Sequence, residues 1–275
     1  MTYGTPATDN ALTKPVTIHT LNTLKQQGER FAVVALYDAV MSAIAEGNGV
    51  EVVLVGDSLG MTVQGHNSTL PVTMDDMLYH VANVARGARH ALVLADLPFM
   101  SYATLEDALH NCARIMQAGA HMVKLEGGAW LEETVRQLSE RGIPVCAHLG
   151  LTPQSVNKFG GFRVQGRNDA EASAILQAAI TLAEAGADIL LLECVPAPLA
   201  GEITRRVKVP VVGIGAGRET DAQVLVINDI LGLTECAPKF SKNFLQQSGN
   251  VSAAIAQYAA DVKSGVFPSD ENIFL

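Results

Sequence analysis

The chain has 275 residues, 48% hydrophobic and 17% charged, enough to bury a large core; with no linker-like stretch it reads as one domain over 1–275. A net charge of -9 with no Lys/Arg cluster argues against a nucleic-acid or anionic-membrane surface, and no apolar run approaches the ~18 residues of a membrane span. Cys112, Cys146, Cys194 and Cys236 are widely spaced and form no zinc or CxxC pattern, and the N-terminus lacks a secretory signal, so the expected setting is a reducing cytoplasm with a small soluble partner.

Residues 1–16, rich in Thr, Asn and Pro, are expected to be irregular. Thr17 can cap a helix carrying Ile18, Leu21 and Leu24 and closed by Gly28, placed to cover one end of a barrel. Phe31 to Tyr37 predicts a first strand, and Asp38 to Glu46 a helix stopped by Gly47 and Gly49. Val52 to Val55 is too short for a helix and rich in β-branched residues, so it reads as a strand buried on both faces that delivers Asp57 and Ser58 at its C-terminal end. A long polar loop follows, then a helix over Met74 to Ala88 and a third strand that carries Asp96 and is stopped by Pro98. Leu105 to Ala118 is the next helix. The fourth strand bears Lys124 and Glu126, which share a face because they stand two apart.

Trp130 to Arg141 is predicted helical, and a fifth strand ends at His148 before a loop over 149–168 long enough to act as a functional lid. A helix over Ala170 to Ala185 leads to a sixth strand ending at Glu193. AGAHMVKLE at 118–126 aligns without a gap with AGADILLLE at 185–193, so Glu126 and Glu193 are equivalent positions of two helix-to-strand units. Leu199 to Arg206 is a short helix, VPVVGIGAG a seventh strand, and Gln223 to Asn228 leads to a weak eighth strand at Ile230 to Leu231. Helices over Lys242 to Gln247 and Val251 to Lys263 close the chain.

About eight strand–helix alternations in ~250 residues fit a (β/α)8 TIM barrel, whose active site lies at the C-terminal ends of its strands. Asp57, Asp96, Glu126, His148 and Glu193 each end an apolar strand and therefore converge on one mouth. Singly, each has a plain alternative: a turn cap for either Asp, a loop-starting surface residue for either Glu, a satisfied core histidine for His148. Jointly, clustered carboxylates repel unless a cation or proton sits among them, and oxygen donors without Cys or HExxH suit Mg²⁺. Lys124 beside them suits an anion or oxyanion. A 2-oxo acid could chelate such a metal while Glu193, on another strand, removes the proton next to its keto group. The GIGAG run at 213–217 lacks the Lys-Ser/Thr partner of a phosphate loop and does not match GxGxxG.

VGDSLGMTVQGHNSTLPVT, LADLPFMSYAT, MVKLEGG, VCAHLGLTPQS, FGGFRVQGR and GIGAG, in this order, closely resemble the ketopantoate hydroxymethyltransferase family from about Phe31 to the C-terminus. The resemblance implies a (β/α)8 barrel of the phosphoenolpyruvate/pyruvate type, commonly a homodecamer. It also implies Mg²⁺-dependent transfer of a one-carbon unit from 5,10-methylenetetrahydrofolate to 3-methyl-2-oxobutanoate, giving 2-dehydropantoate on the route to pantothenate. Carried over by residue, it makes Asp57, Asp96 and Glu126 the metal shell and Glu193 the proton acceptor. Ser58 and Lys124 would hold the oxo acid together with Asp57 and Asp96, with Tyr37 and His148 beside them. Leu36 and Ala222 depart from the family pattern, away from the metal shell. Two rivals are a carbon-carbon lyase of the isocitrate lyase type, which would carry a KKCGH-type loop absent here, and a non-catalytic barrel that serves in assembly.

Overall fold

The computed structural model describes residues 11–275; the expectation of irregular chain over 1–10 lies outside the described residues, and 11–16 form neither helix nor strand. Eight parallel strands close into a barrel in sequential order: β1 (Phe31–Ala35), β2 (Val52–Val55), β3 (Leu92–Asp96), β4 (Met122–Glu126), β5 (Val145–Gly150), β6 (Ile189–Glu193), β7 (Val211–Ile214) and β8 (Ala222–Val226). Their apolar runs are buried along almost their whole length, inward against the barrel interior and outward against the helices. Among the described residues no helix is long and apolar enough to cross a membrane.

Helix boundaries follow local chemistry. Thr17 and Thr20 form a reciprocal capping box, and the helix Ile18–Gln27 ends at Gly28 with φ 70°. Asp38 caps Ala39–Gly47, Thr73 caps Met74–Gly87, and Asn168 caps Asp169–Glu184 through side-chain oxygens that accept backbone N–H bonds. Three sequence expectations fail. The eighth strand is Ala222–Val226, not Ile230 to Leu231, because AQVLV pairs with both β7 and β1, while Ile227–Ile230 turns helical. The helix expected over Lys242 to Gln247 is only the single turn Leu245–Ser248. The first strand also stops at Ala35, two residues before Tyr37.

The two ends of the barrel use acids differently. At the N-terminal end, the residue just before each even strand binds a backbone N–H near the start of the preceding odd strand. Glu51 Oε2 accepts from Ala32 at 2.9 Å, His121 Nδ1 from Val93 at 3.0 Å, Asp188 Oδ2 from Val145 at 2.9 Å and Asp221 Oδ2 from Val211 at 2.8 Å. These side chains satisfy donors that strand pairing leaves open. The N-terminal segment runs beneath them: Val16 N–H donates to His90 O at 2.7 Å, and Lys25 Nζ reaches Asp221 Oδ2 at 2.7 Å, so the first helix does cover that end. On the outside, buried Tyr258 donates its hydroxyl to the Val33 and Gln223 carbonyls, fastening the last helix, Val251–Ser264, over the β1–β8 seam.

Glu46 closes the same end. Its Oε2 accepts the N–H groups of Arg89, His90 and Ala91 at 2.6, 2.6 and 3.0 Å. Burial alone would raise its carboxyl pKa, but these donors outweigh burial and hold it below the ordinary glutamate value. Because the folded value is depressed, the stabilisation is complete above the unfolded pKa and is lost as pH falls through the folded one. Glu46→Gln is therefore expected to lose about 1–3 kcal/mol of stability at neutral pH and less under acid. Urea unfolding at several pH values checks this; a deficit that grows towards low pH contradicts it.

Candidate active site

Strand register assembles the site. Asp96 pairs with Lys124 across β3–β4, Glu126 with His148 across β4–β5, and Gly150 with Glu193 across β5–β6, so these residues reach the C-terminal mouth side by side. Lys124 and Glu126, two apart on β4, are both buried and both point inward. Asp57 arrives from beyond β2, and its N–H donates to Asp96 Oδ2 at 3.0 Å. The chain can make this approach because residue 56 is glycine: a Cβ there would stand 2.8 Å from Ser58 Oγ and 3.6 Å from Asp96 Oδ2.

Oxygen atoms of Asp57, Asp96 and Glu126 lie within 4.8 Å of one another, the one group with metal-ligand spacing found among the described residues. Lys124 Nζ sits 2.9 Å from Asp96 Oδ1 and 3.6 Å from Glu126 Oε1. Three buried carboxylates thus face one ammonium. Burial, together with the Glu126 and Asp96 charges, drives the Asp57 carboxyl well above the usual aspartate range, and burial raises Asp96 as well. Glu126 moves the other way: burial would raise it, but Lys124, His148 and the Gln154 N–H outweigh burial. For Lys124, burial favours the neutral amine, yet the surrounding carboxylates hold it firmly protonated.

His148 is the link to the sixth strand. Its Nδ1 lies 3.2 Å from Lys124 Nζ and 3.3 Å from Glu126 Oε1, and its Nε2 lies 3.4 Å from Glu193 Oε2. Burial and Lys124 push its pKa down, but Glu126 and Glu193 prevail and raise it. The Glu193 side chain is 15% exposed against 3% for Asp96 and Glu126, so it faces the open cavity rather than the carboxylate cluster. Ser58 lines the cavity, whereas Tyr37 stands behind it, its hydroxyl 2.9 Å from Ser58 Oγ and its pKa pushed up to about 12 by burial. The cavity measures about 970 Å³ and is roofed in part by the loop after β5, from which Phe162, Arg163 and Arg167 reach the lining.

Sequence reasoning missed Gln154 and Tyr102. Gln154 stands in the 3₁₀ turn Pro153–Ser155; its Nε2 donates to Asp57 Oδ2 at 2.9 Å and to Leu97 O at 2.8 Å, and its N–H donates to Glu126 Oε2 at 2.9 Å. Tyr102 Oη lies 2.6 Å from Gln154 Oε1 and 3.0 Å from Glu126 O. One residue therefore spaces two acids that repel each other, Asp57 through its side-chain amide and Glu126 through its backbone N–H. The TPQS run following the strand-ending His148 was the available signal, but periodicity shows it only as loop. The GIGAG run serves packing: a Cβ at Gly215, where φ is 59°, would come 2.9 Å from Phe240 and 3.1 Å from Phe274.

A mouth that gathers ionisable groups facing one another at the C-terminal ends of the strands of a closed parallel barrel is the layout of a (β/α)8-barrel enzyme. The sequence pattern of the family described as Ketopantoate hydroxymethyltransferase matches residues 15–270. A 3-methyl-2-oxobutanoate hydroxymethyltransferase from Saccharophagus degradans is 62% identical over 267 residues, 97% of this chain and 99% of its own. The protein of the same name from Marinobacter nauticus is 58% identical over 260 residues, 94% of this chain and 98% of its own. The chain belongs to the ketopantoate hydroxymethyltransferase family. In fold it is similar to the crystal structure of 2,3-dimethylmalate lyase, a PEP mutase/isocitrate lyase superfamily member, with a TM-score of 0.57 at 16% identity over 76% of this chain and 80% of that one.

Replacing Gln154 by Leu leaves Asp57 Oδ2 and Leu97 O without their donor in a buried place. The expected loss is about 1–3 kcal/mol per stranded acceptor. Thermal unfolding measures it, and a Gln154→Leu protein as stable as wild type refutes the spacer role.

Proposed function

We propose that this enzyme transfers a hydroxymethyl group from 5,10-methylenetetrahydrofolate to 3-methyl-2-oxobutanoate, giving 2-dehydropantoate for pantothenate synthesis. Family membership supports the reaction, and one observation supports the division of labour: a tight acidic cluster holds Lys124, while a separate, more exposed carboxylate faces the same cavity from β6.

The residues fit a divalent cation. Asp96 Oδ1 and Glu126 Oε1 are buried with only Lys124 and His148 beside them, the donors are all oxygen, and three carboxylates against one ammonium leave negative charge uncompensated. Asp57, Asp96 and Glu126 would hold Mg²⁺. Bound there, it supplies positive charge that eases loss of the proton next to a keto group.

The chain's own residues do the rest. Lys124 and Ser58 hold the carboxylate and keto oxygens of the oxo acid, and Tyr37 fixes the Ser58 hydroxyl. His148 bridges Lys124 and Glu126 to Glu193, fixing the distance between the binding half of the site and its base. Glu193 removes the proton from carbon 3. A carboxylate held by a cation is a poor base, so the acid that stands apart is the one suited to this step. Both bonds from the methylene carbon to the folate nitrogens break, water supplying the oxygen, and carbon 3 bonds to that carbon; the proton from carbon 3 and the two from water end on the two nitrogens of the departing tetrahydrofolate and on the new hydroxyl. We infer further that the whole chain works as one barrel domain, in the cytoplasm, as a homodecamer. Exposed Tyr79, Met100 and Trp130 offer apolar surface for assembly.

Glu193→Gln keeps shape and hydrogen bonding but removes the basic oxygen. Calorimetric titration should find Mg²⁺ and oxo-acid binding retained, while deuterium exchange at carbon 3 and turnover fall together by roughly 10²- to 10⁴-fold. Exchange at the wild-type rate with slowed product formation would remove Glu193 from the proton step.

A further inference from the structure

The mouth has two unlike halves. Asp57, Asp96, Lys124, Glu126 and His148 come from β2 to β5 and Glu193 from β6, whereas the wall beyond β7 and β8 is lined mainly by Ile214, Val226, Phe240 and Phe274, with Lys239 there held by the Ile273 carbonyl at 2.8 Å. Set into that wall is one more carboxylate, Asp229, 7% exposed, on the short helix that follows β8. Its Oδ1 accepts the Thr234 hydroxyl at 2.6 Å, and among the described residues its Oδ2 accepts no hydrogen bond. Burial, only partly offset by Thr234, holds its carboxyl above the usual aspartate range. A largely buried carboxylate whose second oxygen is left open on the cavity side can accept donors from a ligand.

The oxo acid does not supply them. It carries no N–H or O–H donor, its polar end belongs with Lys124, and so small a molecule fills little of a cavity of about 970 Å³. The other substrate of the proposed reaction does. The pyrimidine edge of a pterin presents a 2-amino group beside a ring N–H, a donor pair matched to the two oxygens of one carboxylate. Its faces are flat and apolar, as the Phe240 and Phe274 wall requires. The nitrogen that carries the one-carbon unit lies at the opposite edge of the bicycle, so a pterin anchored beyond β8 directs that unit back towards Glu193.

We propose that Asp229 binds the 2-amino and ring N–H edge of the folate's pterin, with Phe240 and Phe274 packing against the bicycle. This rests on the folate-dependent reading above. It assigns Asp229 a role in binding and orienting the one-carbon donor, with no role in holding the oxo acid.

The test compares tetrahydrofolate with its 2-desamino-2-methyl analogue, which keeps the bicycle but lacks the amino donor. Binding is followed by fluorescence quenching on wild type, Asp229→Asn and Asp229→Ser. Wild type is expected to bind the analogue roughly 10- to 100-fold more weakly than tetrahydrofolate. Both variants should bind the two ligands nearly alike, with oxo-acid affinity measured by calorimetry unchanged. Equal binding of the two ligands by wild type overturns the proposal without any variant, and full discrimination retained in a folded variant overturns it as well. A variant that merely melts earlier while still discriminating assigns Asp229 to the Thr234 turn alone and counts as refutation. Turnover of 5,10-methylenetetrahydrofolate by the wild-type preparation separates the two levels. Its complete absence sinks the parent function, whereas normal turnover without the predicted discrimination sinks only the Asp229 assignment.

Discussion

Three carboxylates buried around a single ammonium are the constraint on which the rest of this site depends. Asp57, Asp96 and Glu126 lie close enough to repel strongly at low dielectric, and Lys124 alone does not neutralise them. The barrel tolerates the cluster because strand pairing fixes the Asp96, Lys124 and Glu126 backbones, the Asp57 N–H is tied to Asp96 Oδ2, and Gln154 spaces Asp57 from Glu126. Negative charge left uncompensated in a rigid frame comes at a cost to the stability of the empty protein, and the proposed cation is what would offset it.

Acids at the opposite end of the same barrel show what a structural role looks like. Glu51, Asp188 and Asp221 precede strands rather than end them, and each accepts a backbone N–H of the neighbouring strand. Asp57, Asp96 and Glu126 instead carry oxygens that face one another. Position along the strand thus separates the two classes, in keeping with the division of (β/α)8 barrels into a stabilising face and a reactive one.

Much of this was legible in the sequence, for definite reasons. Short β-branched runs alternating with amphipathic helices specify parallel strands, and an ionisable residue closing such a run has to reach the mouth, which located Asp57, Asp96, Glu126, His148 and Glu193 beforehand. The weak point was β8, where Gln223 to Asn228 is expected only to lead to a strand at Ile230 to Leu231, whereas pairing with both β7 and β1, which periodicity does not show, makes Ala222–Val226 the strand. Gln154 and Asp229 lay beyond periodicity altogether. Gln154 works from a loop whose shape depends on three other strands, and the wall around Asp229 combines the nearby Phe240 with Phe274 from the far end of the sequence. Tyr37 was visible as a strand residue, yet only the fold shows that it bears on Ser58 rather than on the cavity.

The proposed reaction lengthens the oxo acid by one carbon and leaves its own carbon chain whole. The most direct measurement supplies 3-methyl-2-oxobutanoate, Mg²⁺ and 5,10-methylenetetrahydrofolate carrying carbon-13 in its one-carbon unit, and follows the products by NMR. The account predicts that the label appears in the hydroxymethyl carbon of 2-dehydropantoate, with the oxo acid's own carbon chain intact. Cleavage of that chain, or label that never leaves the folate, would contradict it.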